Sequence, residues 1–550
     1  MHYKVLQNRA DLIKLLYKKG DVKKALASQG KLIKDYVTVI ESYINHFNKK
    51  EKQIYNAQIS AAFNDFYALA LGSENPEKYF AEVLENRWVE MQNELSKLPR
   101  LIQDVKQEQD SVNGVVFNDW LNTKEQEVLT IVVSKEDQKV MGLNAGDFKA
   151  DLKDFEKSLR KKSPAFKRYL KSSSPSIKSV AKHITDSTTA IEMIRFKALN
   201  SVNDSASYAI LQLNAKSSKP TGTIITNGKT IEKEGLTYFQ NANALDAQDI
   251  KTYETCWKDI HNLTAKYKQV YWAPDGVYHW INPEFLQMSD SALVFNKYKL
   301  QRVQSLSQLV NTNENLVADS TANVKLIVTP KQTSDSSTYG QVKLIETDWN
   351  SLLQPIITKN KSVFTVVDTM LTEQNLLANF AANIVQLNTM NFGNKALTKN
   401  NSVNVQPVRS KGVLGGVVLS NGGKLTQVTF PAYVNANEGV LTTNEIKQMQ
   451  LSDVDLLVLP YFELGYMSWN VIQNQEELLK AFKQAGAGAI LYSLKQVNNE
   501  NLQMFVKTFY ETWSNSSNSS AEVILYKTKQ QLLKDKPESL NDWNSFVLIR

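Results

Sequence analysis

Between Leu32 and Phe47 apolar side chains return every three or four residues: Leu32, Ile33, Tyr36, Val37, Ile40, Tyr43, Ile44 and Phe47. That period places them on one face of a helix and predicts an amphipathic segment. Ahead of it, Leu12, Leu15 and Leu16 mark a second helix, and Gly20-Asp21-Val22 suits the close turn between the two. Phe63, Phe66, Tyr67 and Leu69 begin another helical stretch, and Glu82 to Leu98 a further one. Phe117 to Val133, carrying Trp120, connects these to a long charged stretch that reads as helix through Leu170. Ser172-Ser173-Ser174-Pro175 then breaks the pattern and marks a boundary.

Beyond residue 176 the period changes. Short runs of β-branched and aliphatic residues alternate with helical stretches. The runs are Tyr208–Leu213, Gln269–Trp272, Val324–Val328, Val363–Val367, Val454–Leu459, Ala489–Tyr492, Val523–Tyr526 and Phe546–Ile549, with a further strand expected near 383–388. Strands separated by helices predict an α/β fold with a mostly parallel sheet covered on both faces. Asn311 to Ala322, Gln332 to Tyr339, Asn394 to Asn404 and the low-complexity run Ser514 to Ser520 read as surface loops. The expected division is a helical region over 1–115, a helical connector over 116–175 and an α/β domain over 176–550. At 550 residues there is chain enough for several cores.

Composition narrows the chemistry. The chain is 42% hydrophobic and 22% charged, which fits a globular protein and excludes a disordered one. It contains no 18-residue apolar stretch, so no membrane span is expected. The start lacks the apolar core of a signal peptide, so the compartment expected by default is the cytoplasm; a mature or trimmed chain would leave an extracytoplasmic location open. The net charge is +8, concentrated in Lys157 to Lys182 with Arg160, Lys161, Lys162, Lys167, Arg168, Lys171 and Lys178. With Asp151, Asp154 and Glu156 beside it and no interleaved aromatic platform, this run reads as a solvated helix rather than a nucleic-acid footprint. Cys256 is the single cysteine, which excludes an internal disulfide and a multi-cysteine zinc site. His2, His46, His183, His261 and His279 form no ligand pair, so neither a metal nor any other cofactor is expected. Cys256 and His261, five residues apart on an expected helix, face different ways and make a poor dyad. The Gly486-Ala487-Gly488 run, between a helix and a strand, reads as close packing.

The segment Asp453-Val-Asp-Leu-Leu-Val-Leu459-Pro460-Tyr461-Phe462-Glu463-Leu464-Gly465 resembles the cysteine-bearing loop of CHAT domains, caspase-like peptidases. Further segments resemble that family in order: Thr189 to Phe196, Trp257 to Asn282 with its Pro274-Asp275-Gly276 turn, Thr372 to Leu376, Pro407 to Leu414, Glu438 to Ile446, Leu479 to Leu494 and Asp542 to Ile549. The helix pair around Gly20 resembles one tetratricopeptide-type repeat, without a second clean copy. The resemblance implies a caspase-like αβα sandwich with a mostly parallel sheet, preceded by an all-helical, TPR-like region.

The resemblance also implies where a dyad would stand. Phe462 occupies the position of the nucleophilic cysteine, with Glu463 and Gly465 matching the residues that follow it. In Thr389-Met390-Asn391-Phe392, Met390 occupies the histidine position and Asn391 that of the glycine after it. Neither Phe462 nor Met390 can supply a thiolate or a base. Pro460 removes a backbone donor. Lys495-Gln496-Val497-Asn498-Asn499 lacks the two carboxylates that the family carries there, and His279 reads as a packed residue. The expected function is a non-catalytic scaffold or regulator of bacterial type, binding a protein or peptide through its helical arm and the former substrate cleft. A peptidase with a relocated site and a nucleic-acid-associated defence effector are the alternatives.

Overall fold

A computed structural model describes residues 2–43, 49–94, 101–102, 104–105, 108, 111–171, 175–197, 206–245, 247, 249–289, 292–310, 317–318, 322–328, 348–360, 364–367, 382–388, 391–393, 415–418, 440–447, 449–463, 478–495, 497–516 and 519–550. Its contacts divide the chain into two compact units. One comprises Met1–Glu232, Tyr271–Gly276 and Ser305–Asn311; the other comprises Lys233–Val270, Val277–Gln304 and Thr312–Arg550.

The first unit opens with α1 (His2–Lys18), α2 (Val22–Tyr43), α3 (Lys49–Leu71) and α4 (Phe80–Glu94), each in contact with the next. Gly20 turns α1 into α2 at φ +83°, a conformation that costs glycine little. Leu32, Ile33, Tyr36 and Ile40 are buried along one face of α2, as their period predicts. Further along, α5 (Ser111–Val132) buries Trp120 against Phe117 and Phe166. Its indole N–H donates to Glu156 of α6 (Ala145–Lys162) at 3.3 Å. Arg160, Lys161 and Lys162 end α6, where they oppose the negative end of the helix dipole. Those three, with Lys157, Lys167, Lys178 and Lys182, are exposed, so the basic run is a solvated face.

β1 (Thr188–Lys197), β2 (Ala206–Asn214) and β3 (Thr221–Ile225) follow as an antiparallel sheet, with Thr189 opposite Asn214 and Tyr208 opposite Ile225. Tyr271–Ala273 of β4 (Gln269–Ala273) flank β1. The runs at 208–213 and 269–272 are therefore strands, but they do not lie in the parallel sheet. A 6-residue turn suffices to reverse the chain between β2 and β3, and an antiparallel pair needs no crossover helix.

The second unit holds the parallel sheet. Its strands are β5 (Val324–Val328), β6 (Phe364–Val367), β7 (Ile384–Asn388), and then, after the short β8 (Asn391–Gly393), β9 (Gly415–Val418) and β10 (Val440–Thr442), β11 (Leu456–Glu463), β12 (Ala489–Ser493) and β13 (Phe546–Ile549). The 6-stranded sheet runs β6-β5-β7-β11-β12-β13, all parallel except β13. Leu326, Ile384, Leu456, Val458, Ala489 and Leu491 point to one face. There they meet Leu353 of α9 (Trp349–Ile357), Phe505 and Phe509 of α10 (Asn499–Ser514), and Ile524 and Leu532 of α11 (Ala521–Asp535). Val385, Leu387, Leu457 and Ile490, on the other face, are equally buried. Burial on both sides is why these strands read as continuous apolar runs.

Three expectations are corrected. The strand expected at Val523–Tyr526 is the first turn of α11. Ser520 caps that helix, and Ile524, Thr528 and Leu532 bury one helical stripe. The apolar run was too short for its period to tell helix from strand. Within the loops expected at 311–322 and 514–520, Val317–Ala318 and Ser519–Ser520 pair as two short antiparallel strands. The loops expected at 332–339 and 394–404, and the segments Thr372 to Leu376 and Pro407 to Leu414, lie outside the described residues. Gly486 takes φ +111° where the helix over 478–485 turns into β12, so the backbone there requires a glycine for its turn.

Candidate functional site

In chain order the strands of the parallel sheet sit 2-1-3-4-5-6, so the order reverses between β5 and β7. Crevices outside the carboxyl ends of strands at such a reversal are where open α/β sheets hold ligands. β7 pairs with β5 as far as Asn388↔Val328, and with β11 through Ile384↔Leu456, Val385↔Leu457 and Gln386↔Val458. The two strands that lead to the positions where a dyad is expected are thus adjacent and parallel, as expected.

β11 does not end as a regular strand. Leu459 pairs with Tyr492 and Glu463 with the very next residue, Ser493. Pro460, Tyr461 and Phe462 are therefore surplus to the ladder. Proline has no N–H to give to β12, so a bulge begins where the ladder would need one. Tyr461 is anchored on α9: the Trp349 indole N–H donates to its hydroxyl at 3.1 Å, with the rings edge to face at 6.2 Å. Phe462 and Glu463 close β11, Asn391 opens β8, and β8 contacts β11. Met390 and Gly465 lie outside the described residues.

Two residues at this end of the sheet escaped the sequence reading. Gln386 and Asn388 are fully buried on one face of β7, and the Gln386 amide N–H donates to the Asn388 oxygen at 2.9 Å. The Gln386 side-chain oxygen has no partner among the described residues. Polar residues two apart in an otherwise apolar strand were the available signal.

The run at 495–499 lacks its own carboxylates, but the structure brings one from elsewhere. Asp542, in α12 (Leu540–Ser545), binds the Lys495 ammonium at 2.8 Å and accepts from Asn498 at 3.3 Å and Asn501 at 2.6 Å. Asn498 also caps α10, accepting the Asn501 amide at 2.9 Å. This cluster ties α12 to α10 and leaves little of Lys495 exposed.

Cys256 is buried in a π-helical turn, Tyr253–Trp257. Burial, with the Asp249 carboxylate nearby, pushes its thiol well above the ordinary range, so it holds its proton. His261 stacks on Tyr298 at 5.6 Å and shares a 3.3 Å hydrogen bond with its hydroxyl; burial lowers its pKa. Each has a packing role of its own, and the pair does not make a dyad. Arg302 holds His279 at both its ring and its carbonyl, each at 3.0 Å, which agrees with a packed histidine. Among the described residues no group of His, Cys, Asp and Glu could hold a metal ion.

The family model of the CHAT domain matches residues 251–550, more than half of the chain. The chain belongs to the CHAT domain family. The CHAT segment thus includes the whole parallel sheet, and the fold is the caspase-like αβα sandwich behind a helical N-terminal region. No curated protein matches the chain. Among solved structures, the complex of RgpB pro- and mature domains from Porphyromonas gingivalis is similar at 10% identity and TM-score 0.31, over 58% of this chain and 76% of that one. The separase–securin complex of Saccharomyces cerevisiae is similar at 9% identity and TM-score 0.38. This chain spans about half of that one, 49%, and 100% of this chain is covered. A second crystal structure of the same complex gives 8% identity, TM-score 0.38 and 96% and 40% coverage.

Proposed function

We propose that this CHAT-family chain is a pseudopeptidase: a non-catalytic scaffold or regulator that binds a protein or peptide partner. The observation that carries the reading is Phe462 at the cysteine position, in a bulge next to the strand that leads to Met390 at the histidine position. Acyl transfer by this fold needs a thiolate and a base, and neither side chain provides one. Cys256, the only thiol in the chain, is buried and protonated. In this reading residues 176–550 form the CHAT-like domain, 1–115 a TPR-like arm and 116–175 their connector. The arm and the former substrate cleft share the partner, the cleft by adding an extended peptide as a strand. The exposed Leu12 and Leu15 of α1 suit such an arm.

The test is incubation of the full chain with a diverse peptide library, read by mass spectrometry. No sequence-specific cleavage is expected, and alkylation of Cys256 after partial unfolding and refolding should leave partner binding intact. Specific cleavage that survives substitution of both Met390 and Phe462 would show a relocated peptidase site and overturn the reading.

A further inference from the structure

We propose that the outer edge of β3 (Thr221–Ile225) pairs with β3 of a second copy of this chain, antiparallel across a two-fold axis at Thr223. β3 is the end strand of the antiparallel sheet. Its inner side is spent on β2 without a register shift, from Gln212↔Thr221 to Tyr208↔Ile225. Among the described residues no strand pairs with its outer side. An edge strand turns a row of N–H and C=O groups outward, ready for another strand. Proteins guard such edges with charged side chains, proline or a bulge. Thr221-Gly222-Thr223-Ile224-Ile225 carries none of the three. Nor is the strand hidden: Thr221 is exposed, and Gly222, Thr223 and Ile224 are half-buried.

The occupant follows from the strand set against its own reverse. About Thr223, Thr223 meets Thr223, Gly222 meets Ile224 and Thr221 meets Ile225. A Thr–Thr pair across strands is favourable. Gly222 has to stay bare, because a Cβ there would lie 2.4 Å from the Ile210 carbonyl oxygen of its own sheet. The second copy thus offers a position without a side chain opposite the half-buried Ile224. An axis through a residue also satisfies the hydrogen bonds. Whichever alternate set points outward, 221, 223 and 225 or 222 and 224, it meets the same set in the second copy. Charge does not oppose the pairing. Lys219 falls opposite Asn227 and Lys229 opposite Ser217, so no like charges face each other in a chain of net charge +8. Pro220, opposite Thr226, has no N–H and stops the ladder at both ends. The contact is isologous and closed, and it does not propagate into a fibre.

An extended peptide from another protein would use the same backbone groups, but nothing in the strand selects its sequence. The self-match selects the second copy. β3 lies outside residues 251–550, so the pairing stands apart from the pseudopeptidase reading. Five residues a side make an interface smaller than the ~1,200 Å² of a standard complex, so the dimer is weak, with a dissociation constant on the order of 100 µM.

The test is sedimentation velocity of the full chain from about 5 µM to about 500 µM, over which monomer should give way to dimer. Ile224→Lys supplies the missing guard and should weaken the dimer by about tenfold or more, with the thermal midpoint unchanged. Thr223→Cys should be linked to its own copy by a short bismaleimide, because both copies of the residue sit on the axis. Cys256 is buried and does not compete. Thr226→Cys, with its two copies about 20 Å apart in this register, should not be linked. Where Ile224→Lys lowers the midpoint, the linking experiment decides alone. A chain that stays monomeric over the whole range overturns the proposal. So does a dimer that ignores Ile224→Lys, or one that links equally at 223 and 226, since the contact would then lie elsewhere.

Discussion

Glu192 is the residue in this chain whose environment is most at odds with its charge. It is 1% exposed in β1, accepts from the Leu306 amide at 2.8 Å and the Trp88 indole at 3.1 Å, and is near Arg87. Desolvation nevertheless wins and raises its pKa from 4.5 to about 7. The folded state therefore binds more protons than the unfolded one between these values, and stability falls as pH rises from about 4.5 through 7. The loss attributable to this carboxyl is on the order of 3 kcal/mol. Urea unfolding at several pH values should show that slope in the native chain and not in Glu192→Gln; a slope that persists in the variant would assign it to another group. Gly276 gives a second test. At φ +58°, an added Cβ would lie 2.3 Å from the Tyr208 hydroxyl and 2.8 Å from Arg195 Cδ. Gly276→Ala should cost roughly 2–4 kcal/mol, seen as a lowered thermal midpoint. The Pro274-Asp275-Gly276 turn was legible because a turn is local. The burial of Glu192 was not, because its donors lie 104 and 114 residues away in the chain.

Among elements, length decided what could be read. α2 carries its apolar stripe over 22 residues and was unmistakable. The first turn of α11 offers Val523-Ile524-Leu525-Tyr526, which in isolation suits a strand equally well; the cap at Ser520 and the stripe beyond it decide for helix. α10 depends on a cap of the same kind. Asn498→Ala removes the acceptor for the Asn501 amide and one of the contacts to Asp542. It should cost about 1–2 kcal/mol, measured by chemical unfolding. At the candidate site the apolar core of β11 was legible from its run, whereas its bulge was not, since a register shift belongs to two strands at once. The bulge also bears on repair. Met390→His combined with Phe462→Cys should not recover full peptidase activity in a peptide-cleavage assay, because Pro460 offers no amide and the residue at 462 sits outside the ladder.

For the whole molecule, two desolvated groups of opposite charge act on stability from opposite sides of neutrality. Lys483 is partly buried, its ammonium donates to the Ala487 and Gly488 carbonyls, and desolvation lowers its pKa from 10.5 to about 7. Here the unfolded state binds more protons, so stability recovers as pH rises from about 7 toward 10.5. Glu192 contributes most below its own folded pKa, so the sum of the two contributions is smallest near pH 7. Differential scanning calorimetry should show Lys483→Met removing the alkaline rise and leaving the acidic slope of Glu192 in place. The parallel sheet, its helical cover and the helical N-terminal region were legible because each repeats one period over many residues. The antiparallel sheet of the first unit was not, since strand runs alone do not state which neighbours they choose. Among the described residues no helix is long and apolar enough to cross a membrane.

The three surplus residues of β11 have a bearing on how such a chain changes over generations. Leu459 and Glu463 flank them while opposing consecutive residues of β12, so the sheet asks nothing of Pro460, Tyr461 or Phe462 by way of ladder bonds. Substitutions there are screened for what the loop does and hardly at all for whether the strand forms. A residue at 462 can therefore change without breaking a ladder bond, whereas Tyr461 beside it is held by its contact with Trp349.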